Sequence, residues 1–308
     1  MNLVQYLSES RGVGNSARRL RKIGQRFGVS SYRMQGALLR LVDICAKHGA
    51  KPTLAVTANL IDRYPEFFLR LRETGAELAV HGYVHTDHAL LDETTQYQHL
   101  QRALTAFGRL GLEPEGFRHP YLRFNDETWR AAMRCGFRYS SNRSLAFDVV
   151  PCGVPGEGVI AYEKGLRLYG AKRWTPGSSL PEVQHGDILD MPASLPDDEA
   201  IFDRLGLTPD DAGRIWLAVL DKIFEAGELM TFVVHNERVS LWSPGLDALL
   251  AEARKRDVWI ATMGEIASWW RRRPNGPRWP NGAKAALTIT SDVDAMSLLD
   301  FVRRPLEV

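Results

Sequence analysis

Apolar positions along the chain alternate between two periods. Leu38, Leu41, Val42 and Cys45 fall at i, i+3, i+4 and i+7, one face of a helix that stops near Gly49. Residues 53–58 then form an apolar run of strand length, and a helix over 65–74 ends at Gly75. The alternation continues with a strand at 77–80, a helix at 96–110, short strands at 116–118 and 137–140, and a helix at 126–134 between them. After an irregular Gly/Pro-rich stretch at 150–181 come strands at 187–191, 230–234 and 258–262, separated by helices at 209–225 and 246–255. A helix at 265–271 follows. Strands interleaved with helices predict an α/β fold whose parallel sheet, closed into a barrel or doubly wound, carries its site at the strand C-termini.

The C-terminal segment breaks this rhythm. Residues 272–284 have linker composition, yet 285–290 are as apolar as any core strand and lead into Ser291-Asp-Val-Asp294. About fourteen residues beyond the last core residue cannot build a domain of their own, so the expectation is that this strand completes the sheet of its own chain. The domain reading is a basic N-terminal helical segment (1–34), a barrel (35–271), a linker (272–284) and the strand segment (285–308).

Composition narrows the class without naming a chemistry. The 308 residues are 44% hydrophobic and 25% charged, with a formal charge of +2, within the range of soluble globular domains. No run approaches the ~18 apolar residues of a membrane span, and no secretory signal is evident at the start. Three cysteines without a CxxC spacing fit a reducing compartment. The expectation is a cytoplasmic enzyme with no nucleic-acid partner and no integral membrane segment. Residues 16–26 hold five basic side chains and no acid, which reads either as a contact for anionic lipid or substrate or as a solvated helix.

Candidate chemistry gathers where strands end. His81 and His85, four apart directly after the strand at 77–80, can converge on one divalent ion; exposed pairs at that spacing also arise by chance. Asp87 reads as an orienting group or a turn former, and His88 as surface. Asp292 and Asp294 leave the last strand on one side, so one can bind an ion while the other accepts a proton; a surface Asx turn is the alternative. Arg118 supplies a cation beside the Pro-stiffened turn His119-Pro120-Tyr121, and His235 closes an apolar strand in a position suited to a general acid. Asp190 is a candidate to hold that imidazole, and the 150–181 stretch, with Tyr162, Tyr169, Arg173 and Trp174, reads either as shaping substrate access or as a packing flap.

Taken together, His81-Gly-Tyr-Val-His85-Thr-Asp, Gly116-Phe-Arg-His-Pro-Tyr-Leu-Arg123, Ile188-Leu-Asp-Met-Pro-Ala-Ser194 and Phe232-Val-Val-His235 resemble four of the five motifs of the polysaccharide deacetylase family, carbohydrate esterase family four. The resemblance implies a distorted seven-stranded (β/α) barrel with a metal at the C-terminal mouth. The family's first motif, an Asp pair closing the first strand, is not found ahead of the helix near Gln35. Its counterpart here, Ala286-Leu-Thr-Ile-Thr-Ser-Asp-Val-Asp294, stands at the C-terminus, which implies a circular permutation with the first strand supplied from that end.

The resemblance further implies that His81, His85 and Asp294 bind one divalent metal ion, zinc before nickel, cobalt or iron. It makes Asp292 the base, Arg118 its partner, the Tyr121 N–H an oxyanion donor and His235 the acid, with Pro120, Asp190 and Trp174 at the substrate. The implied activity is hydrolysis of an N-acetyl or N-formyl group from an amino sugar or a related small or lipid-linked intermediate by metal-activated water. A metal-independent ureide hydrolase and a non-catalytic carbohydrate-binding barrel are the alternatives, and a homo-oligomer stays open.

Overall fold

The computed structural model describes residues 24, 26–273, 278–304 and 307. Most of the basic run at 16–26 therefore lies outside the described residues. Arg26, its last member, pairs with Asp203 at 2.6 Å.

The first half alternates as its hydrophobic periods require: α1 (Tyr32–Lys47), β1 (Thr53–Val56), α2 (Ala58–Arg63), α3 (Pro65–Glu73), β2 (Glu77–Val80), α4 (Glu93–Gly108), β3 (Gly116–Phe117), α5 (Asp126–Arg134) and β4 (Tyr139–Ser140). A more elaborate middle follows, with β5 (Ser144–Ala146), α6 (Gly156–Tyr169), β6 (Lys172–Arg173), β7 (Glu182–Val183), β8 (Leu189–Asp190) and β9 (Ala193–Leu195). The last part comprises α7 (Pro209–Ala226), β10 (Leu229–His235), α8 (Val239–Lys255), β11 (Val258–Ile260), α9 (Met263–Arg272), β12 (Ala285–Val293) and α10 (Leu298–Arg303).

Nine strands form one curled sheet in the order β10-β12-β1-β2-β3-β4-β8-β7, with β11 also pairing β12. All these pairings are parallel except that of the edge strand β7 with β8. The sheet thus has two strands more than the seven expected. β5, β6 and β9 make a separate three-stranded sheet beside it.

β12 occupies the interior of the main sheet. It is bonded along seven residues to β10, with His235 opposite Asp292, and along four residues to β1, with Ala55 opposite Asp292. All nine of its residues are buried, as expected of a parallel strand covered on both faces. Its polar side chains are accommodated locally: Thr290 Oγ1 donates to the Phe232 carbonyl at 2.7 Å and Ser291 Oγ to that of Val234 at 2.8 Å.

The stretch at 150–181 is not irregular throughout, because α6 runs through its middle. Its glycines hide the helix from a propensity reading, and they serve close approach. A Cβ at Gly165 would lie 2.5 Å from Arg204 Nη1, and one at Gly158 would lie 3.2 Å from the Arg204 carbonyl oxygen. α6 therefore seats directly on the short helical turn Ala200–Arg204.

Because β12 is central, trimming it should resemble trimming any core strand. Leu287, fully buried between β10 and β11, should cost about 2–5 kcal/mol on replacement by Ala, read from urea unfolding. A loss below ~0.5 kcal/mol would contradict this placement.

Candidate active site

Parallel register delivers the site. The main chain of β1 continues past Val56 so that Thr57 N–H donates to the Val293 carbonyl, while His81 N–H donates to that of Val56. The ends of β1, β2 and β12 are thereby level, and His81, His85 and Asp294 emerge together. His81 Nδ1 lies 2.7 Å from the Arg118 carbonyl oxygen, which places its proton there and turns the Nε2 lone pair inward. That Nε2 lies 3.4 Å from Asp294 Oδ1, and His85 Nε2 lies 3.3 Å from Asp294 Oδ2.

His81 Nε2 and Asp294 Oδ1 are buried without a hydrogen-bond partner. One ligand atom from each of the three residues falls within 4.8 Å of the others. Buried polar atoms rarely stay unsatisfied. Two imidazoles and a carboxylate form a donor set suited to zinc and its neighbours. Burial holds the His85 imidazole down at about 3, despite Asp294, so it presents a lone pair rather than a proton. Burial opposes ionisation of Asp294, but His85, His81 and Arg304 together keep its carboxyl well below the ordinary range.

Asp292 stands beside this cluster, held by Arg118. The guanidinium is 2% exposed and donates from Nη1 to Asp292 Oδ1 at 2.8 Å and to Thr290 Oγ1 at 2.9 Å. Its other nitrogens reach the Ser141 carbonyl and hydroxyl at 3.1 and 2.8 Å. Burial opposes ionisation of Asp292, but Arg118, joined by His81 and His235, lowers its carboxyl below the ordinary range, so a base is present in its ionised form.

The turn after Arg118 carries backbone strain. Tyr121 and Leu122 both adopt positive φ, 63° and 53°, a conformation worth roughly 1–3 kcal/mol of strain for such residues and typical of functional turns. Pro120 is buried at the head of this turn, and the Tyr121 ring meets the His85 ring edge-on at 4.6 Å.

His235 is held by Asp198, not by Asp190. Its Nδ1 lies 2.7 Å from Asp198 Oδ1, and its own backbone N–H donates to Asp198 Oδ2 at 3.0 Å. Burial disfavours the imidazolium, yet the Asp198 carboxylate overrides it and raises His235 well above its ordinary value. Asp197, Asp198 and His235 also bring ligand atoms within 4.8 Å of one another, but Asp198 and His235 are already spent on each other. Asp198 is not among the sequence candidates: it follows β9 of the smaller sheet, and only the fold brings it to His235 at the end of β10.

Asp190 sits under the site, fully buried, accepting from Ser140 Oγ at 2.6 Å, Asn142 N–H at 2.9 Å and Arg143 Nε at 2.8 Å. Asn142 in turn accepts from the His119 N–H, so Asp190 braces the turn rather than meeting substrate. Trp174 is also displaced from the role expected of it: it stacks on Phe147 at 5.1 Å and donates to Glu228, away from the residues lining the central cavity. From the same stretch Tyr169 lines that cavity instead. His88, expected at the surface, is fully buried with its ring 4.2 Å from that of His119. Asp87 pairs with Arg123 at 3.0 Å and caps Ala89, leaving the histidines to others.

A curled parallel sheet with His, His and Asp converging at its C-terminal edge, beside an Arg-held carboxylate and an Asp-held histidine, has the build of a hydrolase of the (β/α)-barrel type. The model of the polysaccharide deacetylase family matches residues 32–140, about a third of the chain. The chain is 28% identical over 163 residues to the peptidoglycan deacetylase-like protein FGM2 of Gibberella zeae, covering 52% of this chain and 46% of that one. The match thus spans under half the length of the curated relative. A solved structure from Mycobacterium smegmatis, designated a polysaccharide deacetylase, superposes with a TM-score of 0.61 at 25% identity over 80% of this chain and 81% of its own. The Puue allantoinase shares the fold at a TM-score of 0.59 and 18% identity, over 85% and 78% of the two chains.

The Asp198–His235 pair has a measurable signature. An imidazole raised in the folded state and ordinary in the unfolded chain, near 6.5, contributes stability that is complete below about pH 6.5. That contribution is lost as pH rises through the folded value, at up to ~1.4 kcal/mol per pH unit. Asp198→Asn should flatten the decline in urea stability between pH 6.5 and 9. An unchanged slope would show that the pair does not carry it.

Proposed function

We propose that this protein is a metal-dependent amidohydrolase that removes an N-acyl group, acetyl or formyl, from an amino sugar or a related small molecule. The observation that carries the reading is the His81–His85–Asp294 cluster, with its orphaned buried donor atoms and Asp292 at its side. His81, His85 and Asp294 would hold one divalent ion, zinc by preference. When bound, such an ion supplies Lewis-acid polarisation of the acyl carbonyl and of the attacking water.

The chain's own groups do the rest. Asp292, kept ionised by Arg118, takes the proton of the attacking water. The Tyr121 N–H, carried on the strained turn, faces the oxyanion as the carbonyl becomes tetrahedral. His235, charged at neutral pH through Asp198, gives its proton to the departing nitrogen. That division of labour separates a low-lying carboxylate from a high-lying imidazole, the pairing that acid–base hydrolysis at neutral pH calls for.

Free thiols at Cys45, Cys135 and Cys152 support a reducing compartment and hence a cytoplasmic setting. Among the described residues no helix is long and apolar enough to cross a membrane. The position of β12 between β10 and β1 supports a circularly permuted family order, with the first strand supplied by the C-terminus.

The test is release of acetate or formate from a panel of N-acyl amines by zinc-loaded protein. Asp292→Asn should retain the metal and lose on the order of 10²-fold or more in kcat. His81→Ala should lose both metal and activity. Full activity in a metal-stripped sample would contradict the proposal and favour a metal-independent hydrolase.

A further inference from the structure

The space beside Asp292 and His235 is small and ringed by acids. It is partly open to solvent and offers about 90 Å³, well under the roughly 300–1,000 Å³ of pockets that take drug-sized ligands. A hexosamine ring with neighbours on both sides does not fit such a volume. Leu122, Val233, Tyr121 and Tyr169 give it an apolar side; Asp197 and Glu199 add carboxylates to those of Asp292 and Asp294. Among the described residues no lysine or arginine lines it.

These walls are fixed in place. The Tyr169 hydroxyl accepts from Arg204 Nη2 at 2.9 Å, and the same guanidinium donates to Glu199 Oε1 at 2.7 Å. The glycines of α6 press that helix onto Arg204. Leu122 packs with Val233 and Ala193. Glu199 is thus occupied by Arg204, and Asp198 by His235. Asp197 has one oxygen on the Ala200 N–H at 2.9 Å and no cation paired to it among the described ion pairs. Burial and the like charge of Asp198 push its carboxyl up to about 6, so it is anionic at pH 7.5 and gains from a donor.

We infer that the site, read as a deacylase, takes a small acylated amine with an ammonium or N–H group on its amine side, bound by Asp197, and excludes both polymer interiors and phosphorylated sugars. The volume excludes the polymer. Asp197, the lining carboxylate left without a paired cation among the described ion pairs, disfavours the phosphate and attracts the donor. Tyr169 sets the size limit and Asp197 the charge preference.

Calorimetric binding to the zinc-loaded protein at pH 7.5 tests this with three probes: N-acetyl-1,3-diaminopropane, tri-N-acetylchitotriose and N-acetylglucosamine 1-phosphate. The acetylated diamine should bind at least tenfold tighter than either sugar. Asp197→Asn, which keeps an acceptor for Ala200, should erase most of that preference, and Tyr169→Ala should improve chitotriose binding by several-fold. Equal or tighter binding of either sugar by the wild type overturns the inference, as does binding of none of the three or a preference unchanged in Asp197→Asn. Acetate assayed in the same samples separates the two levels. Selective diamine binding without acetate release counts against the hydrolase reading and leaves the selectivity standing.

Discussion

Everything at the site hangs on the parallel register between β12 and its two neighbours. Seven consecutive pairings with β10 and four with β1 fix where β12 ends. Because successive residues of a strand alternate sides, that one register decides that Thr290 and Asp292 meet Arg118 and that Asp294 continues toward the histidines. A slip of one residue would turn both acids away. A strand separated from its neighbours by more than two hundred residues of chain on one side therefore governs the chemistry, through backbone hydrogen bonds rather than through any contact of its own carboxylates.

Around that frame, charges are placed in pairs that push their partners in opposite directions. Arg118 spends all three guanidinium nitrogens and leaves Asp292 ionised. Asp198 grips His235 through both ring and backbone and leaves it protonated. Buried pairs of this kind are weak stabilisers in general because desolvation offsets attraction; their use here is to set protonation states. Burial keeps His85 neutral, and His81 is aimed by a carbonyl from the very turn that carries Arg118 and Tyr121. The three strand ends are thus wired together.

The sequence discloses these parts unevenly. Strand and helix alternation, the His81–His85 pair and the apolar strand ahead of Asp292 and Asp294 are all local patterns, and periodicity or spacing reads them directly. α6 is hidden because its glycines lower helical propensity, Gly158 and Gly165 for the sake of close approach to Arg204, a partner far along the chain. Asp190 stands in the sequence reading where Asp198 stands in space, because both are acids near strand ends and only the fold tells which one faces His235. His88 looked like surface beside polar neighbours, yet its burial depends on His119 from another strand. Trp174 was placed by its size and chemistry; Phe147 and Glu228, both distant, claim it. What is legible is what depends on near neighbours in the chain, and what is not depends on pairings across the sheet.

The most direct test of the account is whether the C-terminal strand's carboxylate shares an ion with the two histidines. Zinc K-edge X-ray absorption on the loaded wild type and on Asp294→Ala, with zinc affinity measured alongside, addresses it. The account predicts two imidazoles and at least one carboxylate oxygen around zinc in the wild type, and a loss of that oxygen with weaker zinc binding in the variant. An identical coordination shell and unchanged affinity in Asp294→Ala would contradict it.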